Sequence, residues 1–438
     1  MYRNAEEPVR LVMVGFGNRA RTYADYLRRV SPNSAGGPAA RVVAVVEPNV
    51  FRLRAALETF SLPSGAGFDT WERFLEATSP TGPARLSEIQ AAIVTTPDHL
   101  HYGIAMSALR ERGYHLLLEK PIAQSYRQCL DIAEAARQRG LIVGICHPLR
   151  YHPFFVRFRE LARDESRVGR IVAISYAENI GLGRMTHAFV RGLWRNRTAS
   201  NTLLVSKCCH DVDYLVWLTG SSAVSVRTAG GLSLFRPERA PGASAGAQRC
   251  LDCPMERECP YSAVELYLRQ RKWLRHFDLP PGFGDGDIRR VLRDSIYGRC
   301  VYRVGDNDVW DHQSVQIALA NGADVALEVN GVTAVEGRRI HVMGSKGELW
   351  GDEHTIRFRY YPTAGMQTGD REQEWHFPAL ADAPGHAGAD YALVEDFLNG
   401  VRAVLSGRGG WPLCDIRHSM EAYRIAFLET DNQRITNG

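Results

Sequence analysis

Apolar residues fall into short unbroken runs through the first third of the chain, at residues 9–14, 41–46, 91–95, 115–118 and 141–146. Runs of this length without polar alternation read as strands buried on both faces, the habit of a parallel sheet. Between them the pattern shifts to helical spacing, clearest at residues 19–30, which hold no glycine or proline, and again in the stretch from His101 to Arg112. Strands alternating with helices predict an α/β architecture, with a parallel, doubly wound sheet over residues 1–148. Farther along, residues 170–178, 223–229, 308–317, 324–330, 338–344 and 347–351 alternate with a period of two, so residues 149–438 are expected to form an α+β domain around a one-sided sheet. A crossover is expected at residues 147–151, then helices at 154–162, at 390–405 with Asp390 as its cap, and at 414–429. The chain shows no internal repeat.

Length and composition narrow the class. The 438 residues are enough for two full cores, and 45% hydrophobic with 23% charged residues is ordinary for a globular protein. The formal net charge of +4 is small and the arginines are scattered, which gives nucleic-acid binding no support. No apolar run approaches a membrane span. The opening residues lack a basic-then-apolar pattern, so a cytoplasmic location is the expectation.

The first strand ends in Gly15-Phe16-Gly17-Asn18-Arg19-Ala20 and a helix follows. In that setting Gly15 makes a tight turn, Gly17 lets a pyrophosphate approach the backbone, and the helix N-terminus supplies N–H donors and a favourable dipole. Ala20 stands where a third glycine is common, and a small side chain suffices there for helix-on-strand packing. The second strand ends in Glu47, at the distance where an acidic residue meets the adenosine ribose. Its carboxylate favours NAD over NADP, a preference moderated by Arg52 and Arg54 nearby. The strand at 91–95 runs into Thr95-Thr96-Pro97, a loop expected on the nicotinamide side, with His101 after it. The strand at 115–118 delivers Glu119-Lys120-Pro121. Proline restricts the residue before it, which holds Lys120 at the strand end as a catalytic or cofactor-facing group requires.

These features together resemble the Gfo/Idh/MocA oxidoreductase family: the glycine turn, Thr96-Pro97 with His101, Glu119-Lys120-Pro121, and a later histidine in Cys209-His210-Asp211-Val212-Asp213. The resemblance implies a Rossmann domain followed by a large open, mostly antiparallel sheet, C-terminal helices packing back toward the first domain, and assembly as dimers or tetramers. It further implies NAD-linked oxidation or reduction of a secondary alcohol on a sugar or cyclitol. Lys120 would then position the reacting hydroxyl and His210 act as general acid/base, with Gly15, Phe16, Gly17, Asn18, Arg19, Glu47, Thr95, Thr96, Pro97, His101 and Glu119 around the cofactor. Arg150, Tyr151, Glu178, Arg191, Trp194 and Lys207 are the candidate substrate residues. In the family an aspartate often stands four residues before the histidine; here the residue is Ser206. That departure keeps two alternatives open, a redox-neutral enzyme that retains NAD and forms a transient ketone, and a non-catalytic NAD-binding regulator.

Nine cysteines, an odd number, point away from a disulfide framework. Cys250, Cys253 and Cys259 lie in a Gly-, Pro- and Arg-rich segment from about Leu234 to Pro260, where no buried strand or long helix is readable, within an insertion at about 234–305. Such a segment is expected to need a metal to order it, and with Cys300 as a fourth thiolate the set suits a closed, structural zinc site. An iron–sulfur cluster and free or redox-paired thiols are the alternatives.

Overall fold

The continuous apolar runs form a sheet whose strands are buried along almost their whole length. In the computed structural model, which describes residues 7–29, 40–79, 88–280, 282–362, 372–377 and 384–428, this sheet comprises β1 (Val9–Val14), β2 (Ala40–Val46), β3 (Gly67–Phe68), β4 (Ala91–Val94), β5 (His115–Leu118) and β6 (Val143–Ile145). The order is β3-β2-β1-β4-β5-β6 and every pairing is parallel. Strand order therefore reverses beside β1, the switch point at which open α/β sheets bind ligands beyond their carboxyl ends. The helix Asn18–Arg29 follows β1 directly. The helix Tyr126–Arg139 opens on Ser125, whose side chain accepts from the N–H of Gln128, and closes on Gly140 in the left-handed conformation.

The chain divides into two compact units, Met1–Val156 with Ala379–Arg424, and Arg157–Pro378 with Ile425–Gly438. The first unit is thus closed by a late segment. Leu393, Val394, Phe397, Leu398 and Val401 of the helix Ala389–Leu405 join Leu11, Met13, Ile93 and Leu117 of the sheet in one buried cluster. Asp390 does not cap this helix as expected. Gly388 occupies the cap with φ 83°, and Asp390 is buried in the first turn.

The second unit is built on β7 (Ile171–Asn179), β8 (Ala223–Gly231), β9 (His312–Leu319), β10 (Asp324–Asn330), β11 (Gly337–Gly344), β12 (Gly347–Gly351), β13 (Thr355–Tyr360) and β14 (Glu372–His376). The order is β14-β13-β12-β11-β7-β10-β9-β8, with β7 and β10 parallel and the other neighbours antiparallel. Alternation is clear on β10, where Val325, Leu327 and Val329 are buried while Ala326, Glu328 and Asn330 are half-buried. β9 starts four residues later than expected, because Asp308 accepts the N–H of Arg197 in the coil before it. Among the described residues no helix is long and apolar enough to cross a membrane. Val30 and Glu429, the expected ends of two helices, and residues 1–6 lie outside the described residues.

Candidate active site

The glycine turn is fixed by its neighbours. Gly15 has φ +86°, and a Cβ there would stand 2.9 Å from the backbone oxygen of Thr95, so both conformation and space demand glycine. Its N–H donates to Val46 O at 2.8 Å, while the Thr95 hydroxyl donates toward Val14 O and Gly15 O. Thr95 therefore braces the turn. A Cβ at Gly17 would meet nothing within 4 Å, which leaves the open backbone that a pyrophosphate needs. Ala20 and Phe16 are buried, and Asn18 starts the helix. Glu47 is buried at the end of β2, where its carboxylate accepts from Phe16 N–H at 2.6 Å and Asn49 N–H at 3.0 Å. The acid is thereby held beside the turn.

Across the switch point, the Thr96 hydroxyl oxygen is buried with no partner among the described residues. An orphaned polar atom at this position, an open glycine and a pinned acid together fit a dinucleotide. Pro97 is exposed and precedes the short turn Asp98–Leu100. His101 is fully buried, and its ring nitrogens lie 2.7 Å from Pro121 O and 2.9 Å from Thr96 O. It ties the loop after β4 to the loop after β5.

Lys120 is half-buried directly after β5 and is framed from both sides. Before it, Glu119 accepts from Arg19 Nε at 2.7 Å and from the Tyr23 hydroxyl at 2.5 Å, and its other oxygen accepts from the N–H of Lys120 at 3.1 Å. After it, Pro121 is held by His101, and Ile122 N–H donates to the Tyr423 hydroxyl at 3.1 Å. The Lys120–Pro121 peptide is cis. Burial alone would raise the Glu119 carboxyl, but Arg19 and Tyr23 hold it below the ordinary value. The guanidinium of Arg19 is thus committed to carboxylates.

Arg150 and Tyr151 fall in the first unit. Arg150 donates to Leu413 O and His418 O, and the Tyr151 hydroxyl donates to Asp396 at 2.6 Å while accepting from Cys414 N–H. Both tie the loop after β6 to the late segment.

In the second unit, buried charges gather around the expected histidine segment. Glu178, on β7, accepts from Lys207 and lies 3.0 Å from Arg338 Nε. Asp211, next to His210 on the helix Cys209–Thr219, accepts from the Tyr176 hydroxyl at 2.7 Å and from Arg338 Nε at 2.6 Å. Burial would raise Glu178, yet Arg338 and Lys207 bring it down to about 2. For Asp211 burial prevails over Arg338 and the value is raised. Burial would lower Lys207, but Glu178 raises it, so the ammonium persists. His210 is itself buried, and Ser206 ends the short helix before it. Arg338 and Tyr176 were not expected here. Asp211 stood in the quoted motif without a role, whereas Arg338 lies in a strand whose alternation gives no hint of a buried cation.

Arg191 and Trp194 belong elsewhere in this unit. Arg191 is fully buried and donates to Arg299 O at 2.7 Å and Tyr261 O at 2.6 Å, which anchors the cysteine-bearing insertion. Trp194 is half-buried near Phe189. The zinc expected on Cys250, Cys253, Cys259 and Cys300 is not shown. Among the described residues no group of three or more His, Cys, Asp or Glu side chains is arranged to hold a metal ion. Burial raises the Cys259 and Cys300 thiols, and Cys250 Sγ lies 3.5 Å from Arg191 Nη2. Beyond the cysteine-rich stretch the insertion has a core of its own, Val264, Leu266, Tyr267, Phe277, Ile288 and Leu292, with a helix at Asp285–Asp294.

Comparison with known proteins agrees with the fold. Residues 9–147 match the oxidoreductase family with an NAD-binding Rossmann fold. UDP-N-acetylglucosamine 3-dehydrogenase of Acidithiobacillus ferrooxidans is 27% identical over 153 residues, covering 34% of this chain and 42% of that protein. Inositol 2-dehydrogenase of Leifsonia xyli is 28% identical over 218 residues, 49% of this chain and 55% of that one. The chain thus spans about half the length of the curated relatives it matches. The structure of an inositol dehydrogenase homolog from Azotobacter vinelandii, complexed with NADH and myo-inositol, superimposes with a TM-score of 0.63 at 17% identity, over 97% of this chain and 96% of that one. At that identity the likeness shows the shared fold. Residues 9–147 thus match the Gfo/Idh/MocA oxidoreductase family, with its NAD-binding Rossmann fold.

Proposed function

We propose that the protein is an NAD-dependent oxidoreductase acting on a secondary alcohol of a sugar, cyclitol or related polyol. The observation that carries this reading is the framing of Lys120: a cation at the carboxyl end of β5, with its flanking residues held by Arg19, Tyr23, His101 and Tyr423. The glycine turn at Gly15 and Gly17, the Thr96 hydroxyl and Glu47 would hold the dinucleotide, and Glu47 favours NAD by repelling a 2′-phosphate. When bound, the nicotinamide supplies the hydride acceptor or donor. Lys120 orients the reacting hydroxyl and stabilises its developing negative charge, and His210 takes or returns the proton. The sugar dehydrogenases and inositol dehydrogenases among the relatives support this substrate class. Assembly through the outer face of the second sheet belongs to the same reading, supported by the small, half-buried Ala173, Ala177 and Ala326 on that face.

A panel of sugars and cyclitols with excess NAD, followed at the NADH absorbance, tests the activity. Multiple turnovers with one of them support a dehydrogenase. With that substrate, Lys120→Ala should cut kcat by roughly a hundredfold or more while NADH binding holds within about threefold. Equal losses in both would remove the chemical role and leave Lys120 a cofactor anchor.

A further inference from the structure

We infer that Asp390, on the helix Ala389–Leu405, is a positioning residue for Lys120, acting through Arg19 and Glu119. The inference rests on the role proposed above for Lys120. The path is continuous in hydrogen bonds. Both carboxylate oxygens of Asp390 accept from Arg19, from Nη1 at 3.1 Å and Nη2 at 2.6 Å. Arg19 Nε donates to Glu119 at 2.7 Å, and the second oxygen of Glu119 accepts the N–H of Lys120 at 3.1 Å. Tyr23 closes the inner side, accepting from Arg19 Nη2 at 2.7 Å and donating to Glu119 at 2.5 Å.

A guanidinium is a rigid planar fork, so a carboxylate that grips two of its nitrogens also sets the direction of the third. Asp390 holds Arg19 on one edge, and Nε on the other edge meets Glu119. The Asp390 side chain is fully buried and that of Glu119 is 8% exposed, so water does not substitute for either contact. His386 Nδ1 lies 3.0 Å from the same carboxylate, on the outer side of the helix start. Charge agrees with geometry: two buried carboxylates flank one guanidinium, and Lys120 stands next to the nearer one. Taking away the farther carboxylate releases one edge of the fork and leaves Glu119, hence the backbone of Lys120, with a looser mount.

Asp390→Asn tests this in the full chain, read by three measurements. Amide exchange of the peptide containing Lys120 should quicken by about tenfold, since its N–H loses a fixed acceptor. The kcat should fall by about tenfold, the scale of a sub-ångström misplacement, with NADH affinity kept within about threefold. In a Lys120→Ala background the same substitution should cost no further activity, because the two act on one path. Unchanged exchange with unchanged kcat overturns the inference, and so does loss of NADH affinity in step with kcat. If Lys120→Ala proves fully active, the functional reading fails by itself and the exchange measurement still decides whether Asp390 sets the loop. Should Asp390→Asn not fold, Asp390→Glu, which keeps the charge and lengthens the arm, carries the same readouts, and failure to move them is again decisive.

Discussion

Lysine is scarce in this chain: Lys120, Lys207, Lys272 and Lys346 are the only four among 53 basic residues. Lys272 and Lys346 are exposed. The interior ties are made by Arg19, Arg150, Arg191 and Arg338, each gripping carboxylates or carbonyl oxygens. A guanidinium never loses its charge and suits a permanent tie, while an ammonium can shift its proton and suits chemistry. The division marks Lys120 and Lys207 as the cations whose identity matters, and Lys207 is held by the buried carboxylate of Glu178. Glu47 is the residue-scale counterpart on the cofactor side. Its substitution by Gln keeps the shape and one carbonyl acceptor but removes the negative charge and one of the two backbone contacts. Fluorescence titration with NADH and NADPH at equal ionic strength should show the preference for the unphosphorylated cofactor shrinking by roughly tenfold, about 1.4 kcal/mol. An unchanged ratio would remove Glu47 from cofactor choice.

At the scale of elements, β1 and β5 were legible as uninterrupted apolar runs, and β10 and β12 as alternating ones, each coinciding with its expected range. The strands β13 and β14 were not. β13 and β14 carry Arg357 and Arg359 opposite Glu374 and Glu372, so half of each strand reads as a charged loop until the cross-strand pairs are seen. The core of the insertion was hidden for a related reason. Its buried apolar residues are spread from Cys250 to Leu292 and meet only in space. His187 pins it: the ring stacks at 4.9 Å on Trp273 and 5.2 Å on Tyr297, with Nδ1 2.8 Å from the Tyr267 hydroxyl. Burial, then His276, Arg184 and Arg191, lowers His187 to about 3 from an ordinary 6.5. A base depressed in the folded state contributes stability that is complete above pH 6.5 and is lost as the pH falls toward 3. Urea unfolding should therefore weaken by up to about 1.4 kcal/mol per pH unit across that window relative to His187→Gln, with both proteins measured at the same pH values. Parallel pH profiles would mean that His187 titrates alike in the folded and unfolded states and contributes no pH dependence.

For the whole molecule, the division of labour between early and late sequence was the hardest thing to read. The candidate cofactor turn, the acid at Glu47 and the Lys120 motif all stood in the first 121 residues, yet three partners that hold them, Asp390, Tyr423 and the apolar face of the helix Ala389–Leu405, come from the far end. Nothing local in a sequence records such a return, because an amphipathic helix shows that it needs a partner and not which one. The return makes a sharp demand on Phe397, which is fully buried and reaches within 3.2 Å of where a Cβ on Gly144 would sit in β6. Phe397→Ala empties that space against a sheet whose backbone cannot collapse onto it, and the expected cost is about 3–5 kcal/mol. Since Asp390 begins the same helix, loosening it should also disturb the mount of Lys120 before the unit unfolds. Two readings separate these effects: the urea midpoint, which should drop by the full packing cost, and exchange at the Lys120 peptide under native conditions, which should quicken well below that midpoint. A lowered midpoint with native-state exchange unchanged would show that the helix stabilises the unit without setting its active-site loop, and would confine the positioning role to the carboxylate of Asp390.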